Sequence, residues 1–292
     1  MNSTKQSSLT IGYLLAALTV LLWASFVLLS RIAGKSNLNP YDLTALRFSV
    51  ASVVLLPVWL FWKKTPLFNL QMLTLALLGG LGYALGAYSG LSIAPASHGA
   101  VLLSGVLPFF MTIMAYLVLQ EHPTQHRLIA LAVIAIGVLC MAVYSLNNLQ
   151  HSWPGDLILM ASSALWALYT VLVKRWSKSP LEVTMGVALL SALLYMPVYV
   201  LLLPKNIQHA EWNAIVIQGV FHGILVVIVA MLCFMQAMQR LGPTRLGAVM
   251  AMVPAVAGLG AVFILQEPFS WLLVAGLAFT SAGAWLGARS SS

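Results

Sequence analysis

Ten apolar stretches, each about 20 residues long, dominate the sequence and restrict what it can fold into. They occupy residues 11–32, 42–62, 70–93, 97–119, 127–146, 155–176, 181–203, 212–238, 244–266 and 269–287. The chain is 61% hydrophobic and only 7% charged, which is typical of a membrane protein and excludes a soluble globular domain. Because the connections are short, we expect no sizeable domain outside the membrane. The predicted fold class is an all-α membrane protein with ten transmembrane helices.

Positive charges are distributed unevenly between the two sides that ten helices define. An even number of helices places both termini on one side, together with ten basic residues: Lys5, Lys63, Lys64, Arg127, Lys174, Arg175, Lys178, Arg240, Arg245 and Arg289. The other side holds Arg31, Lys35 and Lys205. By the positive-inside rule, this bias predicts a multi-pass protein of the cytoplasmic (inner) membrane with both termini in the cytoplasm. Topology accounts for the net charge of +8, so no nucleic-acid partner is expected.

Tryptophan occurs at two kinds of position. Seven of the nine stand near the ends of apolar stretches, as in a membrane-interface belt: Trp59, Trp62, Trp153, Trp176, Trp212, Trp271 and Trp285. Trp23 and Trp166 instead lie near the middle of the first and sixth stretches. Since a belt does not explain a central tryptophan, we interpret these two as lining a cavity.

The two halves of the sequence repeat one another in the same order, at offsets of 140 to 146 residues. The matched pairs are Trp23 with Trp166, Arg31 with Lys174, Pro57 with Pro197, Pro108 with Pro254, and Glu121 with Glu267. Each half holds five stretches, an odd number, so the second half must be inverted relative to the first. Inverted five-helix repeats, here predicted as 1–148 and 149–292, are typical of secondary transporters with a substrate site between the repeats.

The motifs at these positions resemble those of the drug/metabolite transporter superfamily, in the branch built from two EamA-type domains. The resemblance covers nearly the whole chain and rests on four short segments: Leu22-Trp23-Ala24-Ser25, Leu46-Arg47-Phe48, Pro108 with Leu119-Gln120-Glu121, and Pro254 with Leu265-Gln266-Glu267. The family pattern usually ends in Leu-Gly-Glu, where this chain has Gln both times. The resemblance implies a central cavity walled by helices 1, 3, 4, 6, 8 and 9, with helices 5 and 10 peripheral. It also implies export of amino acids and related metabolites, among other cargo.

Two equivalent helical faces carry a hydroxyl followed by two aromatic side chains, at positions i, i+4 and i+7. They consist of Thr19, Trp23 and Phe26 in the first stretch, and Ser162, Trp166 and Tyr169 in the sixth. We interpret both faces as substrate-binding walls of the cavity. Ordinary helix packing or lipid contact is the alternative.

Two histidines are further candidates for the substrate site. His222 lies about 15 Å deep in the eighth stretch, where a polar group needs a partner or a cavity. A structural hydrogen bond between helices would serve equally well. His98, near the start of the fourth stretch, could bind a carboxylate or an amine, or could be a solvated residue at a helix end.

The third stretch combines a glycine stripe with two tyrosines. Gly82, Gly86 and Gly90 are spaced by four residues, a pattern that lets another helix approach closely. Tyr83 and Tyr88 point away from the stripe in different directions, and we expect one of them to face the cavity. The sequence leaves open which one does.

Prolines in the middle of two stretches predict flexible points. Pro108 and Pro254 each remove a helical hydrogen bond and bend the helix at equivalent places in the two halves. We favour a mechanical role for them in opening and closing over direct contact with substrate.

A few charged residues are candidates for a gate. Glu121 and Glu267 end equivalent stretches on opposite sides of the membrane. Arg47 lies a few residues inside the second stretch, close enough to the surface to pair with Glu267, and Asp42 is the competing partner. A structural ion pair or gate latch is the favoured interpretation.

Other function classes find little support in the residues. No nucleophile–base pair, no HExxH motif and no acidic pair occurs within a stretch, so we expect no enzyme, no catalytic residue, no metal and no cofactor. The prediction is a secondary transporter that exports small amphipathic metabolites, such as amino acids, by alternating access. Its expected partners are a small-molecule substrate and membrane lipid, with a homodimer left open. A cationic drug efflux carrier and a ligand sensor without flux are the alternatives, and proton coupling and facilitated diffusion both stay open.

Overall fold

The structure, a computed structural model, describes residues 2–35, 37–62, 64–147 and 152–289, and within these ranges it contains helices and loops without a β-strand. The helices are α1 (Asn2–Gly34), α2 (Pro40–Phe61), α3 (Leu70–Ile93), α4 (Ala96–Leu119), α5 (Gln125–Asn147), α6 (Trp153–Arg175), α7 (Pro180–Leu202), α8 (Trp212–Gly242), α9 (Arg245–Leu265) and α10 (Trp271–Arg289). The predicted all-α, ten-helix fold is confirmed. The predicted boundary between the halves falls between residues 148 and 149, and both lie outside the described residues.

Most of these helices are long and apolar enough to cross a membrane. Eight of them qualify among the described residues, while the apolar parts of α5 and α10 are shorter, Gln125–Met141 and Trp271–Gly287. Their outer surface is strongly apolar, and Trp62, Trp212 and Trp271 stand exposed near helix ends. These features are those of a multi-pass membrane protein.

The starts of α2 and α7 show why helices begin at equivalent places in the two halves. The Asn39 side chain accepts a hydrogen bond from the Asp42 backbone N–H, and the Asp42 carboxylate accepts one from the Asn39 N–H. This capping box satisfies two backbone donors that the first turn of a helix leaves free. Ser179 caps α7 in a similar way by accepting from the Glu182 N–H, and each helix then starts with proline.

Helices α4 and α9 are each broken just before their proline. The breaks lie at Val106 in α4 and at 251–252 in α9, and regular helix resumes over Leu107–Leu119 and Val253–Leu265. Proline is the second residue of each resumed helix, where its missing N–H leaves no hydrogen bond unmade. A departure from regular helix therefore occurs beside both prolines, as predicted, but it is a break before the proline and not the predicted loss of a hydrogen bond at it.

A glutamine in the left-handed backbone region follows the end of each resumed helix. Gln120 has a φ of 59° and Gln266 a φ of 53°. Glycine adopts this conformation without the steric cost that a side chain brings, and it commonly follows a helix end. The conformation explains why the family pattern has glycine where this chain has glutamine.

Three helices contain widened, π-helical turns. These are Ala76–Gly82 in α3, Ala100–Gly105 in α4 and Val220–Ala230 in α8. The segments in α3 and α8 occupy equivalent positions in the two halves. A π turn holds more residues than an α turn, so it rotates the following side chains relative to those before it.

The two halves intertwine into one bundle instead of forming separate domains. Helix α1 packs on α8 and α9, α2 on α7, α3 on α6, and α5 on α10. The predicted close approach through the glycine stripe is confirmed, because a Cβ atom on Gly86 would lie 2.1 Å from the Ser162 Oγ. We call the bundle end where α1 begins and α10 ends the terminal end, and the other the opposite end.

Candidate substrate cavity

A cavity of about 390 Å³ lies between the two halves. Its lining reaches the terminal end, where it includes Arg127, Gly247 and Gly287. Toward the opposite end, every lining residue stays at least seven residues from the end of its helix. The cavity therefore runs from the middle of the bundle toward the terminal end.

More helices line the cavity than the six that the resemblance implied. Helices α5 and α10, expected at the periphery, contribute Ala130, Ile134 and Ala284, and α2 and α7 also contribute. This expectation was wrong because α5 and α10 pack tightly on each other through glycines. A Cβ on Gly283 of α10 would lie 2.8 Å from the Ala130 carbonyl oxygen of α5, and both of these residues line the cavity.

A cluster of aromatic side chains forms the middle of the cavity wall. Trp23, Phe26, Tyr83, Trp166 and Tyr169 all line it. The ring centroids of Trp166 and Tyr83 are 4.6 Å apart, those of Trp166 and Tyr169 are 4.9 Å apart, and Phe26 stacks on Tyr83 at 6.2 Å. The two central tryptophans therefore lie at the cavity, and Tyr83 is the tyrosine of α3 that faces it. Their role in binding substrate stays a prediction.

The hydroxyls predicted to accompany these aromatics do not line the cavity. The Thr19 hydroxyl donates to the Leu15 carbonyl at 2.9 Å, and the Ser162 hydroxyl to the Ile158 carbonyl at 2.8 Å. Both side chains are buried between helices. A hydroxyl in an apolar helix readily bonds the carbonyl four residues earlier, and each is satisfied in this way. The contact of these two residues with substrate stays a prediction.

His98 also lies away from the cavity, in contrast to its predicted place. Its Nδ1 is 2.8 Å from the Asp156 Oδ1, and its ring meets the edge of Tyr144. It is 1% exposed, so it is not a solvated helix-end residue either. The pair joins α4 to α6 near the opposite end. His98 lies away from the cavity because its imidazole pairs with Asp156 in the first turn of α6, and its role in the substrate site stays a prediction.

Tyr88 and His222 form a buried layer on the opposite-end side of the cavity. His222 is fully buried, with its ring against Phe26, Tyr88 and Phe221 at 5.1 to 5.5 Å. Neither residue lines the cavity, and their contact with substrate stays a prediction. Tyr88 follows the π segment of α3, and His222 lies within the π segment of α8. The wider turns change the helix face on which these side chains lie.

The predicted Arg47–Glu267 pair does not form. The Glu267 carboxylate accepts backbone N–H hydrogen bonds from Ala96 at 2.6 Å and from Ser97 at 2.9 Å. It thereby caps the start of α4, where backbone donors lack partners and the helix dipole favours a negative charge. The competing partner, Asp42, is engaged by Tyr199 Oη at 2.7 Å and by backbone N–H groups.

Arg47 instead faces the cavity from α2. Its guanidinium carbon lies 5.7 Å from the Phe26 ring centroid and 5.8 Å from that of Phe48. Its Nη1 is 3.5 Å from the Tyr88 Oη, and its Nε has no hydrogen-bond partner among the described residues. The side chain lines the cavity although it is only 7% exposed.

Arg127 is a cavity residue that sequence reasoning missed. We counted it only among the charges that set orientation, yet its Nε donates to the Thr112 Oγ1 at 2.7 Å and both side chains line the cavity. A second pocket of about 300 Å³ adjoins at the terminal end and shares these two residues. It also contains Glu121, whose carboxylate pairs with Lys174 at 2.6 Å. The spacing of Arg127 from Thr112 gave no signal, because a helix end and a loop separate them.

The prolines line the cavity as well. Pro108 and Pro254 both contribute to its wall beside the breaks in α4 and α9. Their position is compatible both with direct contact with substrate and with a mechanical role in opening and closing. Their function as flexible points stays a prediction.

Ten helices in two intertwined halves around a cavity at one end define a multi-pass membrane protein with the architecture of a transporter. The model of the EamA-like transporter family matches residues 10–143 and 153–288, and the chain belongs to this family. The resemblance identified from the motifs is confirmed. No group of three or more potential metal ligands occurs in the part of the chain that the structure describes.

Relatives from distant organisms span nearly the same length. The chain is 26% identical over 265 residues to an uncharacterized transporter, YyaM, of Bacillus subtilis, covering 85% of this chain and 84% of the relative. It is 25% identical over 283 residues to an uncharacterized transporter of Archaeoglobus fulgidus, covering 94% and 96%. A protein crystal structure superposes with a TM-score of 0.60 at 22% identity, covering 96% of each chain, which supports the fold. The family and these relatives point to a transporter rather than an enzyme.

Proposed function

We propose that this chain is a secondary transporter that exports small amphipathic metabolites, amino acids among them, by alternating access. The observation that carries the proposal is the cavity of about 390 Å³ between the two halves, which runs from mid-bundle to the terminal end. Small-molecule sites commonly enclose about 300–1,000 Å³ and are mostly apolar with a few polar groups. The rings of Trp23, Tyr83 and Trp166 offer such a surface to the apolar part of a cargo molecule.

The breaks in α4 and α9 support the alternating-access part of the proposal. They occupy equivalent places in two halves of opposite orientation, and both adjoin the cavity. If the two halves exchange conformations about Val106 and residues 251–252, the cavity closes at the terminal end and opens at the opposite end. Broken helices let such movements occur without disrupting a continuous hydrogen-bond ladder.

The charge bias supports the direction. The ten basic residues on the side of the termini, against three on the other, favour a cytoplasmic terminal end in the inner membrane. A cavity that extends to the terminal end would then load cargo from the cytoplasm. Export is the direction that this arrangement favours.

Flux in proteoliposomes tests the proposal. Purified protein is reconstituted, and the efflux of labelled amino acids is compared with that of empty liposomes. Trp23→Ala and Trp166→Ala are each expected to lower efflux at least about 10-fold, because each removes a large apolar contact worth about 1.5–3 kcal/mol. Trp212→Ala, at a helix end where the side chain is 74% exposed, is the matched control and should retain flux. Binding of a cargo without any flux would contradict the carrier and favour the ligand sensor.

A further inference from the structure

The charged residues that line the cavity are all positive. Arg47 and Arg127 belong to its wall, and no Asp, Glu or His does, among the residues that the structure describes. The Glu121 carboxylate, in the adjoining pocket, pairs with Lys174, and the Glu267 carboxylate caps α4 at the opposite end. The cavity therefore has an excess positive charge that nothing in its wall neutralises.

Arg47 is the deeper of the two arginines. It is the eighth residue of α2, so it lies about 10 Å along the helix from the opposite end. The arginine guanidinium carries five N–H donors in a planar fork. The ring faces of Phe26 and Phe48 contact it but do not replace hydrogen-bond acceptors. The long contact to the Tyr88 Oη uses one donor, and Nε stays unpartnered among the described residues. A nearly buried positive charge without a carboxylate is costly in a membrane protein, and such groups commonly mark a substrate site.

Arg127 stands at the mouth of the same cavity. It is the third residue of α5, at the terminal end, and its Nε bond to the Thr112 Oγ1 fixes the guanidinium between the cavity and the adjoining pocket. Among the described residues it forms no ion pair. Its remaining donors are therefore free to meet an anion that enters from the terminal end.

We propose, resting on the carrier function above, that the cavity selects small organic anions and binds their carboxylate through Arg47. The Arg127 guanidinium attracts the anion at the mouth of the cavity. At the inner end, the Arg47 guanidinium donates two hydrogen bonds to the carboxylate, while the aromatic cluster contacts the apolar or aromatic body. An ammonium group has no carboxylate to meet in the wall and is repelled by both guanidinium groups. An aromatic or branched aliphatic monocarboxylate should therefore bind better than the amino acid with the same side chain, and the matching amine should bind worst.

Two matched series of ligands test the charge preference while keeping the body constant. Phenylpropanoate, phenylalanine and phenylethylamine share a phenyl body, and isocaproate, leucine and isoamylamine share a branched aliphatic one. Binding to the purified full chain is measured by titration calorimetry, and flux in proteoliposomes. We expect the acid to bind best in at least one series, and at least about 10-fold better than the amine.

Variants at the arginines locate the contact. Arg47→Gln should remove the preference for the acid, and Arg47→Lys should restore part of it, since lysine keeps the charge and loses the fork. Arg127→Gln should slow anion association more than it changes the final preference. Arg175→Gln is the matched control, because Arg175 is exposed and lines neither pocket. Where Arg47→Gln does not fold, as judged by gel filtration, the ligand series on the wild type and Arg47→Lys decide.

The outcomes separate this inference from the carrier function. Equal or tighter binding of the amine or the amino acid in both series overturns the anion preference, as does failure of both acids to bind, or an unchanged preference in folded Arg47→Gln. Flux of an amine or an amino acid in that situation leaves the carrier function standing. Tight binding of an acid without flux of any ligand supports the anion site and overturns the carrier.

Discussion

Glu267→Gln is expected to loosen the opposite end of the bundle. The Glu267 carboxylate joins α9 to the start of α4 through hydrogen bonds of 2.6 and 2.9 Å from the Ala96 and Ser97 N–H groups, and the side chain is 9% exposed. Hydrogen bonds to a charged group contribute about 1.5–3 kcal/mol each, against about 1 kcal/mol for neutral ones. A glutamine offers a single uncharged acceptor oxygen, so the net loss is about 2 kcal/mol.

A loss of this size changes the balance between a closed and an open opposite end. About 2 kcal/mol corresponds to roughly a 30-fold shift in the ratio of the two states. The shift is measurable at Ser97, which is 2% exposed and lies beside the glutamate. A single Ser97→Cys, with Cys140 and Cys233 replaced by alanine, reports the opening through its rate of modification by a membrane-impermeant thiol reagent. We expect Glu267→Gln to raise that rate about 30-fold.

The equivalent glutamate of the first half provides the control. Glu121 carries the same motif, but its partner Lys174 is 65% exposed and the carboxylate side chain 46% exposed. Surface ion pairs contribute about 0–1 kcal/mol, so Glu121→Gln should change the rate less than about fivefold. Equal modification rates in wild type and Glu267→Gln would refute the view that the Glu267 contact with α4 holds the opposite end closed, and so would an equal rise in Glu121→Gln.

Three further substitutions follow from the backbone and the packing. Gln120→Gly and Gln266→Gly should each raise stability by up to about 1 kcal/mol, because relief of the left-handed strain outweighs the entropy that glycine loses on folding; a lower melting temperature in detergent would contradict this. Gly86→Ala should destabilise the α3–α6 contact, since its Cβ would lie 2.1 Å from the Ser162 Oγ, and adding Ser162→Ala should restore part of the loss. Equal melting temperatures of the single and double variants would contradict the claim that Gly86 is needed for the close approach to Ser162.

Features that depend on the length and spacing of residues could be predicted from the sequence. Apolar stretches of about 20 residues gave the ten helices, and matched prolines gave the equivalent breaks in α4 and α9. Helical spacing also placed Trp23 and Trp166 on the face that meets the cavity. These properties follow from backbone geometry that is the same in any helix.

Features that depend on tertiary partners could not be predicted from the sequence. Whether Arg47 meets Glu267 or an aromatic ring depends on the first turn of α4, whose backbone N–H groups bind the glutamate instead. The sequence left open whether Tyr88 and His222 face the cavity, because π turns alter the angular spacing that a regular helix would give. Arg127 was missed because its contact with Thr112 crosses a loop.

The central claim is that one cavity is exposed at one end of the bundle at a time, and paired distances test it most directly. Spin labels at Lys35 and Lys205, both exposed at the opposite end, and a second pair at Lys64 and Arg245, both exposed at the terminal end, report the two openings by pulsed electron resonance. In Glu267→Gln relative to wild type, we expect the first distance to lengthen while the second shortens. Two distances that stay fixed, or that lengthen together, would contradict alternating access.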